Sequence, residues 1–178
     1  RAYAQAAVAD AARYATLADR LAAETERTPG LELLAELLAE KTRFAVEHVF
    51  RALHILQPHA GLRSVHDAII SSDPDRRGTA REIIEHLIRS EIRVPLLAVI
   101  DPIPAETRRD RLGSLAAGPF PTYESVLLTL LSDRSESLRC VVAHHIAERR
   151  LRALRSDLAR LRTLESPPLV AHAYEQAI

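Results

Sequence analysis

The side chains best placed to do chemistry are His144, His145 and Glu148. Residues three and four apart share a helix face, and a zinc site needs histidine or carboxylate ligands that converge. Adjacent residues, however, project about 100° apart on a helix. His144 and His145 therefore cannot both meet Glu148 on one ion, and an ordinary helix face is the better reading. Cys140 is followed by Val141 and Val142 and has no histidine partner in sequence, so a small packing residue is expected there rather than a catalytic thiolate. His48, His54, His59 and His66 lack ligand spacing. No phosphate loop, glycine-rich fingerprint or nucleophile elbow occurs. Neither a catalytic residue nor a cofactor or metal site is expected.

Two arginine patterns remain. Arg77, Arg108 and Arg139 recur at one spacing, which suits a structural ladder tying successive units together, with a binding surface as the alternative. Arg139, Arg149, Arg150, Arg152, Arg155, Arg160 and Arg162 face only Glu148 and Asp157 over residues 139–162, a local excess of five positive charges. That face could hold phosphate, an acidic protein or lipid headgroups, although a solvated surface is the commoner outcome. The partner-binding candidates are thus Arg77, Arg108, Arg139, His145, Arg149 and Arg152.

The whole chain carries no compensating field. Twenty-four basic and twenty-four acidic side chains cancel over 178 residues, so any binding to nucleic acid or an anionic membrane has to be local. Apolar residues make up 47% of the chain but aromatics only 4%, a balance that favours closely spaced helices over a β-rich core. No run of about 18 apolar residues suggests a span. A lone cysteine fits a reducing cytosol. The absence of methionine, even at the start, reads as a domain of a longer protein.

The elements that must position these residues follow from periodicity. Residues 1–27 read as one helix, with Val8, Ala11, Ala12, Ala15 and Leu21 on one face. Thr28-Pro29-Gly30 ends it and caps the next, which carries Leu34, Leu37, Leu38, Phe44, Val49, Phe50, Leu53 and Leu56 and is expected to break near Glu40. From residue 60 the chain repeats. Asp73-Pro74, Pro104, Ser135 and Ser166-Pro167 open segments 31 residues apart. Val65, Leu96, Leu127 and Leu158 keep that interval, as do Ala68, Val99, Leu130 and Leu161. Ala105 to Ala116 is expected to be a weak helix, and turn residues mark Gly113 to Pro121 as a poorly anchored segment. Helix pairs at such a period must stack to share a core.

The segment from Ser72 to Ile84, Ser72-Asp73-Pro74-Asp75-Arg76-Arg77-Gly78-Thr79-Ala80-Arg81-Glu82-Ile83-Ile84, resembles the D-P-x-x-R-x-x-A-x-x-x-L pattern of the second helix in HEAT repeats, and Ser135 to Ile146 is a degenerate copy. Tetratricopeptide and ankyrin signatures are missing. Within Phe44 to Asp101, Val49 to Leu56, the helix capped at Asp73 and Arg93 to Leu97 are similar to the HEAT-like segment that follows the membrane portion of bacterial transporters related to ATP/ADP translocases and major facilitators. That likeness spans about a third of the chain. HEAT-like iron hydroxylases use His-Glu dipeptides, which do not occur here, and HEAT-like DNA glycosylases use aromatic and basic side chains of which the aromatic part is scarce.

These readings predict an all-α protein: a right-handed α-solenoid of about four HEAT-like helix pairs at 60–178, preceded by two longer flanking helices at 1–59. They predict a non-catalytic interaction or regulatory scaffold whose partner is another protein or neighbouring domains of the same polypeptide, in the cytoplasm or as the cytosolic part of a membrane protein. Binding of nucleic acid or anionic lipid through the arginine-rich C-terminal repeats is the second reading, and a HEAT-like enzyme the third.

Overall fold

The computed structural model describes residues 2–116, 121–163 and 167–178, which hold ten α-helices and no strand. Ser166, one of the expected caps, and residues 117–120 of the expected weak segment lie outside that description.

Helix α1 covers Ala2–Ala22 and α2 covers Pro29–Leu56. The expected continuation of α1 to Arg27 does not occur: its last buried residue is Leu21, and Ala22 and Ala23 beyond it are exposed, so no buried side chain holds another turn. The Arg27 guanidinium instead donates to the Ala22 carbonyl at 3.2 Å. Thr28 caps α2 as expected, its Oγ1 accepting from the Leu31 N–H at 3.2 Å. The break expected near Glu40 does not occur. Leu38, Ala45, Val46 and Val49 keep a buried stripe running past that point, and no glycine or proline interrupts it.

Short helices follow: α3 at Leu62–Ile69, α4 at Pro74–Leu87, α5 at Ser90–Ile100, α6 at Ala105–Leu112, α7 at Tyr123–Leu131, α8 at Glu136–Glu148, α9 at Arg155–Thr163 and α10 at Pro168–Ala177. Asp73 caps α4 by accepting from the Asp75 and Arg76 N–H groups, Thr122 caps α7 and Ser135 caps α8. Helix α6 is shorter than expected because Gly113 turns to φ 53°, after which Gly113–Ala116 continues as a 3-10 turn. Helix α8 ends in a Schellman turn, with Leu151 N–H donating to Ile146 and Arg150 N–H to Ala147. Arg150 takes the left-handed position at φ 50° that glycine usually fills.

The chain forms two compact units. The first comprises Arg1–Thr16 and Ala39–Ala117. Its core joins Val8 and Ala11 of α1, Val49, Phe50 and Leu53 of α2, Leu62, Val65 and Ile69 of α3, Ala80 and Ile84 of α4, and Leu96 of α5. The second comprises Leu17–Leu38 and Gly118–Ile178. Within it α8 packs on both α7 and α10, and α10 on α9. Tyr174 is buried there with its hydroxyl donating to the Leu131 carbonyl at 2.6 Å. All four in-register residues Val65, Leu96, Leu127 and Leu158 are buried, the last two completely.

Candidate functional site

Three places collect the side chains that carry charge, titratable groups or exposed apolar surface. The first is a polar cluster in the second unit, where the end of α8 meets the start of α2. Glu148 accepts from the Gly30 N–H, 3.2 Å from Oε2, and from the Thr28 hydroxyl. It thereby supplies to α2 a cap from another helix, and a carboxylate is favoured at that end by the helix dipole. His145 lies one turn back on the same face, its Nδ1 3.2 Å from Thr28 Oγ1 and 3.3 Å from Glu148 Oε2. Its Nε2 meets the Tyr123 hydroxyl of α7. The approach is so close that a Cβ on Gly30 would fall 2.5 Å from Glu148 Oε2 and 3.3 Å from the His145 Cα.

Electrostatics in the cluster follow from burial and bonding. Burial holds the His145 imidazole below its usual range, only partly opposed by Glu148. The Thr28 hydroxyl and then the His145 and Gly30 bonds hold Glu148 below the usual carboxylate range, against a smaller desolvation effect. Burial pushes the Tyr123 phenol up. Two guanidiniums cover the Tyr123 ring, Arg149 with Cζ 5.5 Å and Arg20 with Cζ 5.9 Å from its centroid. Each is paired, Arg149 with Glu26 at 2.8 Å and Arg20 with Glu24 at 2.9 Å. His145 is thus fully buried and not available to a partner, and Arg149 is committed to Glu26 and Tyr123. His144 is exposed, and among the described residues no three His, Cys, Asp or Glu side chains gather as metal ligands. Burial raises the Cys140 thiol, which disfavours the nucleophilic thiolate.

The second place is the set of in-register arginines, whose guanidiniums reach different targets. Arg77 is exposed and donates to the Ser71 carbonyl at 2.8 Å. Arg108 is half-buried and donates to the Ala98 carbonyl at 3.0 Å and that of Asp101 at 3.4 Å. These bonds close the C-terminal end of the helix before each arginine's own. In the first unit Asp101, a buried carboxylate, joins neighbouring helices by receiving Arg81 of α4 at 3.2 Å and Arg111 of α6 at 3.3 Å. Arg139 differs again. It lies against the Tyr174 hydroxyl of α10, with its Nε buried and unbonded.

Of the C-terminal arginines, Arg160 pairs with Asp157 and Arg162 with Glu175. Glu26 and Glu175, distant in sequence, thereby reduce the excess charge counted along the chain. Arg150 and Arg152, between α8 and α9, and Arg155, the first residue of α9, are exposed.

The third place went unmarked in the sequence. In the first unit, Phe44 of α2 and Ile70 after α3 are 50% and 63% exposed and open a cavity of about 690 Å³ whose walls include Val46, Ile69, Val99 and Ile100. Glu40, Thr42, Arg43, Glu47 and His66 also line it. Helical spacing puts Phe44 on the apolar stripe of α2, but three positions of the same helix, Ala45, Val46 and Val49, take the core side instead. No helix among the described residues is long and apolar enough to cross a membrane. The chain matches no protein-family model, no curated protein and no solved structure with which it was compared.

Proposed function

We propose that this chain is a non-catalytic helical-repeat module, a right-handed solenoid of HEAT-like pairs within a larger protein, that binds a protein partner through the Phe44–Ile70 groove. The observation that carries the reading is the exposure of Phe44 and Ile70 over a cavity of mixed but mainly apolar lining. Contiguous apolar surface of this kind is what a partner covers, and an aromatic anchor in a pocket concentrates binding energy. The repeat reading is supported by the 31-residue register, at which Val65, Leu96, Leu127 and Leu158 are all buried. The transporter-like resemblance would place such a module beside a membrane portion, as its regulatory or docking domain.

Binding of an anionic surface is the alternative, and the exposed trio Arg150, Arg152 and Arg155 is its specific basis. Salt separates the two. Between about 0.1 and 1 M the screening length falls from about 10 to 3 Å, so an arginine-held complex should dissociate while a groove-held one should persist. Recovery of the same protein by the wild type at both salt levels, lost with Phe44→Glu and retained with Arg150, Arg152 and Arg155 all changed to Gln, supports the groove. Loss only with the arginine variant would overturn it.

A further inference from the structure

We infer that Tyr123, His145, Glu148 and Thr28 form an acid-released latch between the end of α8 and the start of α2, opened when His145 takes up a proton. The case begins with proton placement. The Thr28 hydroxyl spends its one hydrogen on Glu148 Oε2 and accepts from the Leu31 N–H. His145 Nδ1 therefore faces only oxygens that need a hydrogen, so Nδ1 carries the proton of the neutral ring. Nε2 is then the bare nitrogen, and the Tyr123 hydroxyl donates to it. The buried phenol, raised above its ordinary value, keeps that proton.

A second proton on the imidazole has to enter at Nε2, where the Tyr123 hydrogen already sits. The Tyr123 hydroxyl must rotate its hydrogen away and change from donor to acceptor, and the new charge has to be carried by a ring with no solvent exposure. The charges around it do not remove that conflict. From α8, Glu148 favours the imidazolium, but it is already engaged by Thr28 and Gly30, while Arg149 and His144 oppose it. From the start of α2 comes only the neutral Thr28 hydroxyl. Around Tyr123 stand Arg20 of α1, Glu24 and Glu26 between α1 and α2, Glu124 of α7 and Arg149, with the two arginines each held by a glutamate.

The sign is the same for both titrating groups. His145 is depressed from its ordinary 6.5, so the native arrangement is fully favoured above that value and loses ground as pH falls below it. Glu148 is depressed from 4.5, so its contribution is lost only at lower pH. Histidine protonation loosens the latch first, while the carboxylate is still charged.

The test uses the full chain, following the His145 ring nitrogens by NMR and the Gly30 and Leu31 amides by hydrogen exchange from pH 7.5 to 5. Protection factors are taken against intrinsic rates, with the α10 amides as reference. The latch predicts that protection at Gly30 falls by up to about tenfold per pH unit, the slope of a one-proton equilibrium, with the midpoint of the His145 titration, while α10 stays protected. His145→Gln should abolish that pH dependence. If this variant does not fold, the wild-type measurement decides alone. Titration of His145 with Gly30 protection unchanged would overturn the inference, as would loss of Gly30 protection only together with α10.

Discussion

Gly30 and Glu148 stand 118 positions apart in sequence, yet the Gly30 amide hydrogen-bonds the Glu148 carboxylate at 3.2 Å and no room is left for a Cβ between them. A glycine in a helix interior ordinarily costs about 0.8–1 kcal/mol relative to alanine, and Gly30, the second residue of α2, carries a backbone-entropy cost of the same kind. Here it is the condition for an interhelical cap.

Gly30→Ala sets those two effects against each other. The alanine would gain helix propensity, but its Cβ has to displace Glu148 and press on the His145 backbone. We expect net destabilisation in urea unfolding, with Thr28→Ala costing about 0.5–2 kcal/mol through loss of the cap. In a double-mutant cycle Gly30→Ala and Glu148→Gln should be non-additive, because each removes the same contact. A more stable Gly30→Ala variant would show that the Glu148 cap contributes little.

Leu127 and Leu158 are both fully buried at equivalent positions of the 31-residue register. Leu→Ala at either should cost about 2–5 kcal/mol, as for other core leucines. Leu169, 64% exposed, is the control for the same chemical change made at the surface. Its replacement by alanine should change stability by no more than about 0.5 kcal/mol. Chemical denaturation of the three variants checks the ordering.

Arg77 and Arg108 hold equivalent positions but differ in burial and in the carbonyls they reach. Arg108→Gln should lower stability by about 1–2 kcal/mol, since part-buried carbonyls lose a charged donor. Arg77→Gln should stay within about 0.5 kcal/mol. Asp101→Asn, which weakens the meeting of α4, α5 and α6, should cost at least as much as Arg108→Gln. Equal effects at Arg77 and Arg108 would contradict this grading.

Arg150 sits in the left-handed region at the end of α8, a conformation that costs a side-chain-bearing residue roughly 1–2 kcal/mol. Glycine relieves that strain but adds entropy to the unfolded chain. Arg150→Gly should therefore raise stability by about 0.5–1 kcal/mol, seen as a higher urea midpoint at unchanged slope. A lower midpoint would mean that the Arg150 side chain contributes a contact outweighing its backbone strain.

What could be read from the sequence was the local physics. Thr28, Asp73 and Ser135 are caps because of their own hydroxyl or carboxylate and the helix that follows. The regular burial at Val65, Leu96, Leu127 and Leu158 follows from one repeated apolar spacing. Contacts between distant segments were not legible. Nothing near Gly30 announces Glu148, and Tyr123 carried no signal as the partner of His145. The charge excess at the C-terminus was overstated because counting along the chain omits Glu26 and Glu175. Phe44 looked buried because helical periodicity gives an apolar stripe a width but not its edge.

The groove is the feature on which the proposed function depends. A photo-reactive phenylalanine analogue at position 44 probes it directly, with position 3, where Tyr3 is 63% exposed, as the control. Illumination of cell extract from the source at low and at high salt should give one discrete protein adduct at position 44 under both conditions, absent at position 3 and lost when Ile70→Glu is added. Equal labelling at positions 44 and 3, or an adduct at 44 that vanishes at high salt, would contradict a protein partner held in the apolar groove.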